Sequence, residues 1–154
     1  MKKLIALFGL LLVVTSCDID DDGPQYYTSY SEIVNVNLPE YFVFGETDTL
    51  EISYKLPTAC HTGLGVQSNR GDGDERNHIY LAGVVSVDAT ITECTRDASE
   101  EDLIEVTEAR IVVNERESYV FKLFEGTDVD NKPIYRTIEV PVQDEDDEDP
   151  EPEA

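Results

Sequence analysis

The amino-acid sequence predicts an all-β protein, an antiparallel sandwich of about seven short strands. Three observations carry that prediction. Apolar residues recur at every second position in several segments, the period of a strand with one buried and one wet face. The 3.6-residue period of an amphipathic helix is absent. Gly, Pro, Asp and Asn punctuate the alternating segments at short intervals, as turns do.

In chain order, Glu32 to Leu38 places Val34, Val36 and Leu38 on one face, and Tyr41 to Phe44 suits a short edge strand. Thr49 to Leu56 alternates cleanly, with Leu50, Ile52, Tyr54 and Leu56 on the apolar side. Thr58 to Asn77 is polar and glycine-rich and reads as a long loop, the first place to seek binding, because overlong loops are often functional. Ile79 to Val87 is nearly continuous in apolar residues, the mark of a central strand. Ala89 to Cys94 and Ala109 to Asn114 are shorter strand candidates. Asp97 to Asp102 reads as a loop, although Ser99-x-x-Asp102 has capping-box spacing. Ser118 to Phe124 aligns Tyr119, Phe121 and Leu123. Gly126 to Pro133 reads as a hairpin loop, and its Gly126 to Lys132 stretch is the other place to seek binding. Ile134 to Val142 aligns Ile134, Ile138, Val140 and Val142, with Arg136 interrupting.

Charge narrows the function classes. The 154 residues hold 34 acids and 11 bases, a formal net charge of −23. Such a chain repels a phosphate backbone, so nucleic acid is not an expected partner. Eight of the acids lie in the last eleven residues and four more are Asp18, Asp20, Asp21 and Asp22. The intervening 121 residues keep 22 acids against 9 bases, so the folded part is itself acidic. With 40% apolar residues it can still bury a core.

The N-terminus reads as an address. Met1-Lys2-Lys3 is a positive start, and Leu4 to Val14 is an apolar run of eleven residues. At about 1.5 Å per helical residue that run is too short to cross a hydrocarbon core of roughly 30 Å. With small Thr15 and Ser16 following, it has the layout of a cleaved export signal. Val14-Thr15-Ser16-Cys17 resembles the lipobox of bacterial lipoproteins, with Val14 where Leu is commonest. The resemblance implies that Cys17 is acylated, for example with palmitate, and becomes the first mature residue; stable anchoring takes more than one acyl chain. Acids directly behind such a Cys, here DIDDDG, look like the surface-export signals of Bacteroidetes lipoproteins. The expected divisions are therefore 1–16 signal peptide, 17–30 lipidated acidic tether, 31–143 β-sandwich and 144–154 disordered acidic tail. The expected location is the cell envelope, as an outer-membrane lipoprotein displayed at the surface or facing the periplasm.

Export bears on the other cysteines. Removing Cys17 leaves Cys60 and Cys94, which in an oxidising compartment read as a disulfide. A zinc site from Cys60, His61, His78 and Cys94 is the rival, but its spacing fits no compact knuckle. The turn spacing and about seven short strands suggest an immunoglobulin-like sandwich. Arg116 to Leu123 resembles the start of the penultimate strand of that fold. The resemblance makes Tyr119 a corner tyrosine whose hydroxyl bonds back to preceding backbone. The antibody-type bridge is not reproduced, since Trp is missing and Cys60 and Cys94 fall too early.

Material for catalysis is thin. No G-x-S-x-G or H-E-x-x-H occurs, two His are present, and carboxylates are too numerous for any pair to stand out. An enzyme is not expected, nor is a cofactor. Weak calcium candidates are Asp72 with Asp74, and Asp128 with Asp130. Asp48-Thr49-Leu50 resembles the O-glycosylation sequon of Bacteroidetes exported proteins, which would modify Thr49. Arg70-Gly71-Asp72 spells an integrin tripeptide, a match that arises easily by chance. The expected function is a lipid-anchored, non-catalytic binding or accessory module, its partners the membrane through the anchor and an envelope protein or a glycan. The alternatives are a structural envelope component and a calcium- or sugar-binding module, the latter using Tyr26, Tyr27 and Tyr30.

Overall fold

The computed structural model describes residues 25–144. The readings of residues 1–24, including the signal and Cys17, and of 145–154 lie outside them. The described chain is all-β. Its strands are β1 Tyr26–Ser31, β2 Ile33–Val36, β3 Phe42–Val43, β4 Thr47–Lys55, β5 Thr62–Arg70, β6 His78–Asp88, β7 Ile104–Val112, β8 Tyr119–Thr127, β9 Pro133–Val140 and β10 Val142–Gln143. Two 3-10 turns, Gly73–Glu75 and Glu101–Leu103, complete it. Among the described residues no helix is long and apolar enough to cross a membrane.

The strands form a main sheet of β1, β5, β6, β8 and β9, a second sheet in the order β2-β4-β7, and a ribbon of β10 with β3. The two larger sheets bury their inner faces against each other as a β-sandwich. From β4 come Leu50, Ile52 and Tyr54; from β6 Ile79, Leu81 and Val85; from β8 Tyr119, Phe121 and Leu123. The period-two pattern of β4 and β8 is what allows this, because alternate residues share a face. Phe42 of the ribbon is fully buried and packs edge-on to Tyr119 at 5.6 Å between centroids.

Two tyrosines satisfy their hydroxyls inside this core. The Tyr119 hydroxyl accepts from the backbone N–H of Asn114 at 3.0 Å and of Glu115 at 3.2 Å. It thereby fixes the chain entering β8. The Tyr54 hydroxyl joins the sheets: it donates to Glu105 Oε2 on β7 at 2.7 Å and accepts from the Gly65 N–H on β5 at 3.2 Å. Its ring needs two glycines opposite. A Cβ on Gly83 would stand 2.9 Å from the Tyr54 side chain, and one on Gly63 would stand 2.2 Å from its hydroxyl.

Several elements differ from the sequence reading. Thr62–Arg70 is a full strand, not loop, and pairs with β6 along its length. Its polar residues suit an edge strand, which needs hydrogen-bonding partners more than apolar ones. β1 begins at Tyr26, inside the stretch read as tether, because its backbone pairs with Gly83–Asp88 of β6. In β2, Ile33 is buried and Val34 exposed, because the register shifts between Ile33 and Asn35 and resets the alternation. Ala89 to Cys94 forms no strand: the Asp88 carboxylate accepts from the Thr90 N–H at 2.8 Å and hydroxyl at 2.7 Å, turning the chain. Ser99 and Asp102 do cap a turn, the Ser99 hydroxyl donating to Asp102 at 2.7 Å. Ile134 is exposed at the start of edge strand β9, while Val140 is buried. Two pairings run parallel, β6 with β8 and β3 with β10, so the sandwich is antiparallel in most but not all of its ladders.

Cys60 and Cys94 are bonded, with their Cα atoms 5.7 Å apart. The bridge ties the β4–β5 turn to the irregular segment before β7, which has little secondary structure of its own. Replacing both cysteines by Ser should lower unfolding free energy by about 2–4 kcal/mol in urea titrations, since the loop closed is long. Tyr54 makes a pH prediction. Burial above all, then the Glu105 carboxylate, pushes its phenol up to about 12. Below pH 10 both folded and unfolded chains hold the proton. Between pH 10 and 12 only the unfolded chain ionises there, so stability falls as pH rises, by on the order of 2–3 kcal/mol. Tyr54→Phe should make that alkaline fall in denaturation midpoint shallower.

Candidate functional site

A concavity among the described residues begins with a conflict over one strand edge. β5 occupies one edge of β6 from Ile79 to Ser86. The other edge serves two strands: β8 pairs parallel with His78–Leu81, and β1 pairs antiparallel with Gly83–Asp88. They advance on each other and meet at Ala82. Both must leave. β8 bends through an irregularity between Phe124 and Gly126, where Gly126 holds φ +135°. β1 ends at Ser31, whose hydroxyl donates to the Lys55 carbonyl as the chain crosses to the second sheet. Lys55 N–H donates in turn to the Glu32 carbonyl at 3.0 Å. The space left is a groove of about 660 Å³.

Aromatic rings line it. Residues paired across the ladders share a face, so Tyr80, Phe124 and Tyr135 project from the outer side of the main sheet, opposite the core residues Ile79, Leu81, Phe121 and Leu123. Tyr30 of β1 meets Phe124 at 6.0 Å and 61°, Phe124 meets Tyr135 at 6.1 Å and 68°, and Tyr135 meets Tyr80 at 5.4 Å and 79°. All three contacts are edge-to-face, the arrangement the ring quadrupole favours. Gln67 and Asn69 of β5 register beside Ala82 and Tyr80 and add carboxamides to the wall. Ser29, Thr127 and Asn131 contribute further polar groups. Burial, then Glu75 and Tyr135, raises the Tyr80 phenol above its ordinary range.

Arg136 explains its own interruption of the β9 pattern. Its guanidinium donates to the Val34 carbonyl at 3.0 Å and the Ile33 carbonyl at 3.4 Å, and pairs with Glu125 at 3.3 Å. An otherwise open backbone edge of β2 is thereby linked to β9 near the groove.

The other sequence candidates are scattered. Asp72 and Asp74 flank Gly73 in an exposed turn between β5 and β6. Asp128 organises its own hairpin, accepting from the N–H of Asp130 at 2.8 Å and of Lys132 at 2.9 Å, so its carboxylate is already engaged. Asp130 is exposed beside it. Among the described residues no three His, Cys, Asp or Glu converge as a metal cluster. The zinc reading is overturned for its cysteines, whose sulfurs bond to each other. His61 Nδ1 lies 2.9 Å from Thr58 Oγ1, and His78 faces Glu75 from the start of β6. Thr49 is exposed within β4, the middle strand of the second sheet. Arg70 of the integrin-like tripeptide is held by Asn114 Oδ1 at 2.8 Å and the Val112 carbonyl at 3.1 Å. Tyr26 and Tyr27 are exposed on β1, but neither lines the groove, whereas Tyr30 does.

Sequence reasoning passed over Tyr80, Phe124 and Tyr135. A signal was present: each stands out of phase with an apolar strand face, as Tyr80 does between Ile79 and Leu81. An aromatic on the wet side of a strand marks either a pairing across the sheet or a contact surface. Comparison with protein-family models, curated proteins and solved structures returned no match to this chain.

The arrangement can hold a ligand that offers flat apolar faces and hydroxyl or amide edges. Gly126 shapes it. A Cβ there would meet nothing within 4 Å, yet φ +135° is a conformation side chains avoid. Gly126→Ala should therefore cost about 1–2 kcal/mol of stability in urea titrations, from backbone strain and not from a clash.

Proposed function

We propose that this chain is a lipid-anchored, non-catalytic binding module of a bacterial cell envelope, held by acylated Cys17 and presenting the aromatic groove to a ligand. The observation that carries the binding half is the groove itself: about 660 Å³, walled by four aromatic side chains and several uncharged polar ones, within the usual size of small-molecule sites. The location half rests on the signal layout and the lipobox ending at Cys17. The Cys60–Cys94 bridge supports it, because such bonds persist in oxidising compartments. In this reading the acids after Cys17 favour surface display on the outer membrane of a Bacteroidetes-type cell.

The finer fold is an immunoglobulin-like domain. Support comes from Tyr119, whose hydroxyl reaches back to Asn114 and Glu115 as a corner tyrosine does. The parallel β6–β8 pair makes it a variant, since that fold is built from antiparallel sheets.

Anchoring is tested by fractionating cells that express the full chain and Cys17→Ala. The unaltered chain should incorporate labelled palmitate and sediment with membranes, and the variant should do neither. An unaltered chain found entirely in the soluble fraction would sink the lipoprotein reading.

A further inference from the structure

We propose that the groove between β1 and β8 takes a neutral glycan, about two or three sugar rings long. This deepens the reading of the chain as an envelope binding module and rests on it.

The rings supply the first argument. Tyr30, Phe124, Tyr135 and Tyr80 touch edge to face, with interplanar angles of 61°, 68° and 79° in turn. Stacked rings would hide their faces in one another. Edge-to-face rings keep faces available for a third body, and Tyr30 is 56% exposed. The C–H face of a pyranose is such a body: flat, apolar, and bordered by hydroxyls. Phe124 is only 7% exposed, so it forms the floor under the others.

Hydrogen-bonding capacity supplies the second. Gln67, Asn69 and Asn131 each offer a carbonyl acceptor and amide donors on one side chain. Sugar hydroxyls donate and accept at once, so both halves of each carboxamide find partners. A proline-rich segment, the other common guest of aromatic grooves, brings carbonyl acceptors but lacks N–H at proline. It would offer no donor to Glu32 or to the amide oxygens of the wall.

Charge supplies the third. Glu32, Glu125 and Lys55 line the groove, two carboxylates to one cation. Arg136 is engaged by Glu125 and by the Ile33 and Val34 carbonyls. Little positive charge remains for a uronate or phosphate, and the chain as a whole carries −23. Size agrees, because about 660 Å³ exceeds what one sugar ring fills and stays within ordinary ligand sites.

The test is calorimetric titration of the full-length chain in detergent micelles with maltotriose, cellotriose, mannotriose and chitotriose. Trigalacturonate and a decaproline peptide run alongside. At least one neutral trisaccharide should bind saturably. Tyr30→Ala should weaken it about tenfold and Tyr30→Phe less than about threefold, because the ring face and not the hydroxyl makes the contact. Asn69→Ala, at an exposed polar position, should weaken it with no change in melting temperature, which guards against a misfolded tyrosine variant. Three results would overturn the proposal. One is no neutral trisaccharide binding at roughly 10 mM. Another is binding that survives Tyr30→Ala and Asn69→Ala undiminished. The third is tighter binding of trigalacturonate or decaproline. A chain that sediments with membranes yet binds no sugar refutes the ligand class alone; a soluble chain that binds sugar refutes the location alone.

Discussion

The edge of β6 that faces β8 and β1 has eleven backbone positions and two strands to satisfy with them. A hydrogen-bonding edge cannot serve two partners at one residue, so the strands divide it at Ala82 and turn away. β8 turns outward through a bulged step at Gly126, and β1 crosses to the second sheet, where it continues as β2. Beyond the first departure β8 stays paired with β9 alone, through the shift between Phe124 and Gly126. The second places Ser31 and Lys55 at the crossing. What lies between is a groove the sheet cannot close, because closing it would require a residue to pair twice. The candidate site is thus a consequence of ladder pairing before it is a matter of side chains.

That division would be costly without firm support beneath it. Tyr54 rises from β4 into the main sheet, and Gly63 and Gly83 leave it room. Its hydroxyl fastens β7 to β5, so the two sheets are joined by hydrogen bonds as well as by apolar contact. Phe42 and Tyr119 fill the core where the ribbon meets it. Cys60–Cys94 restrains the two segments that ladders leave free. With the inner face held this way, the outer face can carry half-exposed aromatics without relying on them for stability.

Legibility in the sequence followed how much each segment says about itself. β4 and β8 were readable because an alternating strand states its own two faces, and Leu50, Ile52, Tyr54, Tyr119, Phe121 and Leu123 are all buried as the pattern requires. β6 was readable as central from its apolar run. β5 was not, because an edge strand of Gly, Gln, Ser and Asn owes its form to a neighbour's backbone. Val34 was assigned to the wrong face because a single register shift inverts a short strand. The site was half visible. Tyr30 and the loop from Gly126 were nominated from composition, and both border the groove. Their partners Tyr80 and Tyr135 come from strands distant in the chain and looked like strand filler.

By itself the sequence determined the all-β class, the strands that form the core, the pairing of Cys60 with Cys94 and the acidity of the body. Each of these follows from local period, residue type or counting. Only the tertiary structure decided that β1 and β8 share an edge of β6, that β5 completes the other, and that four aromatic side chains from β1, β6, β8 and β9 meet around one groove. Period tells a strand which way to face. It does not tell it which strand to lie beside, because backbone hydrogen bonds are the same in every strand and the choice of neighbour is made by the packing of the whole.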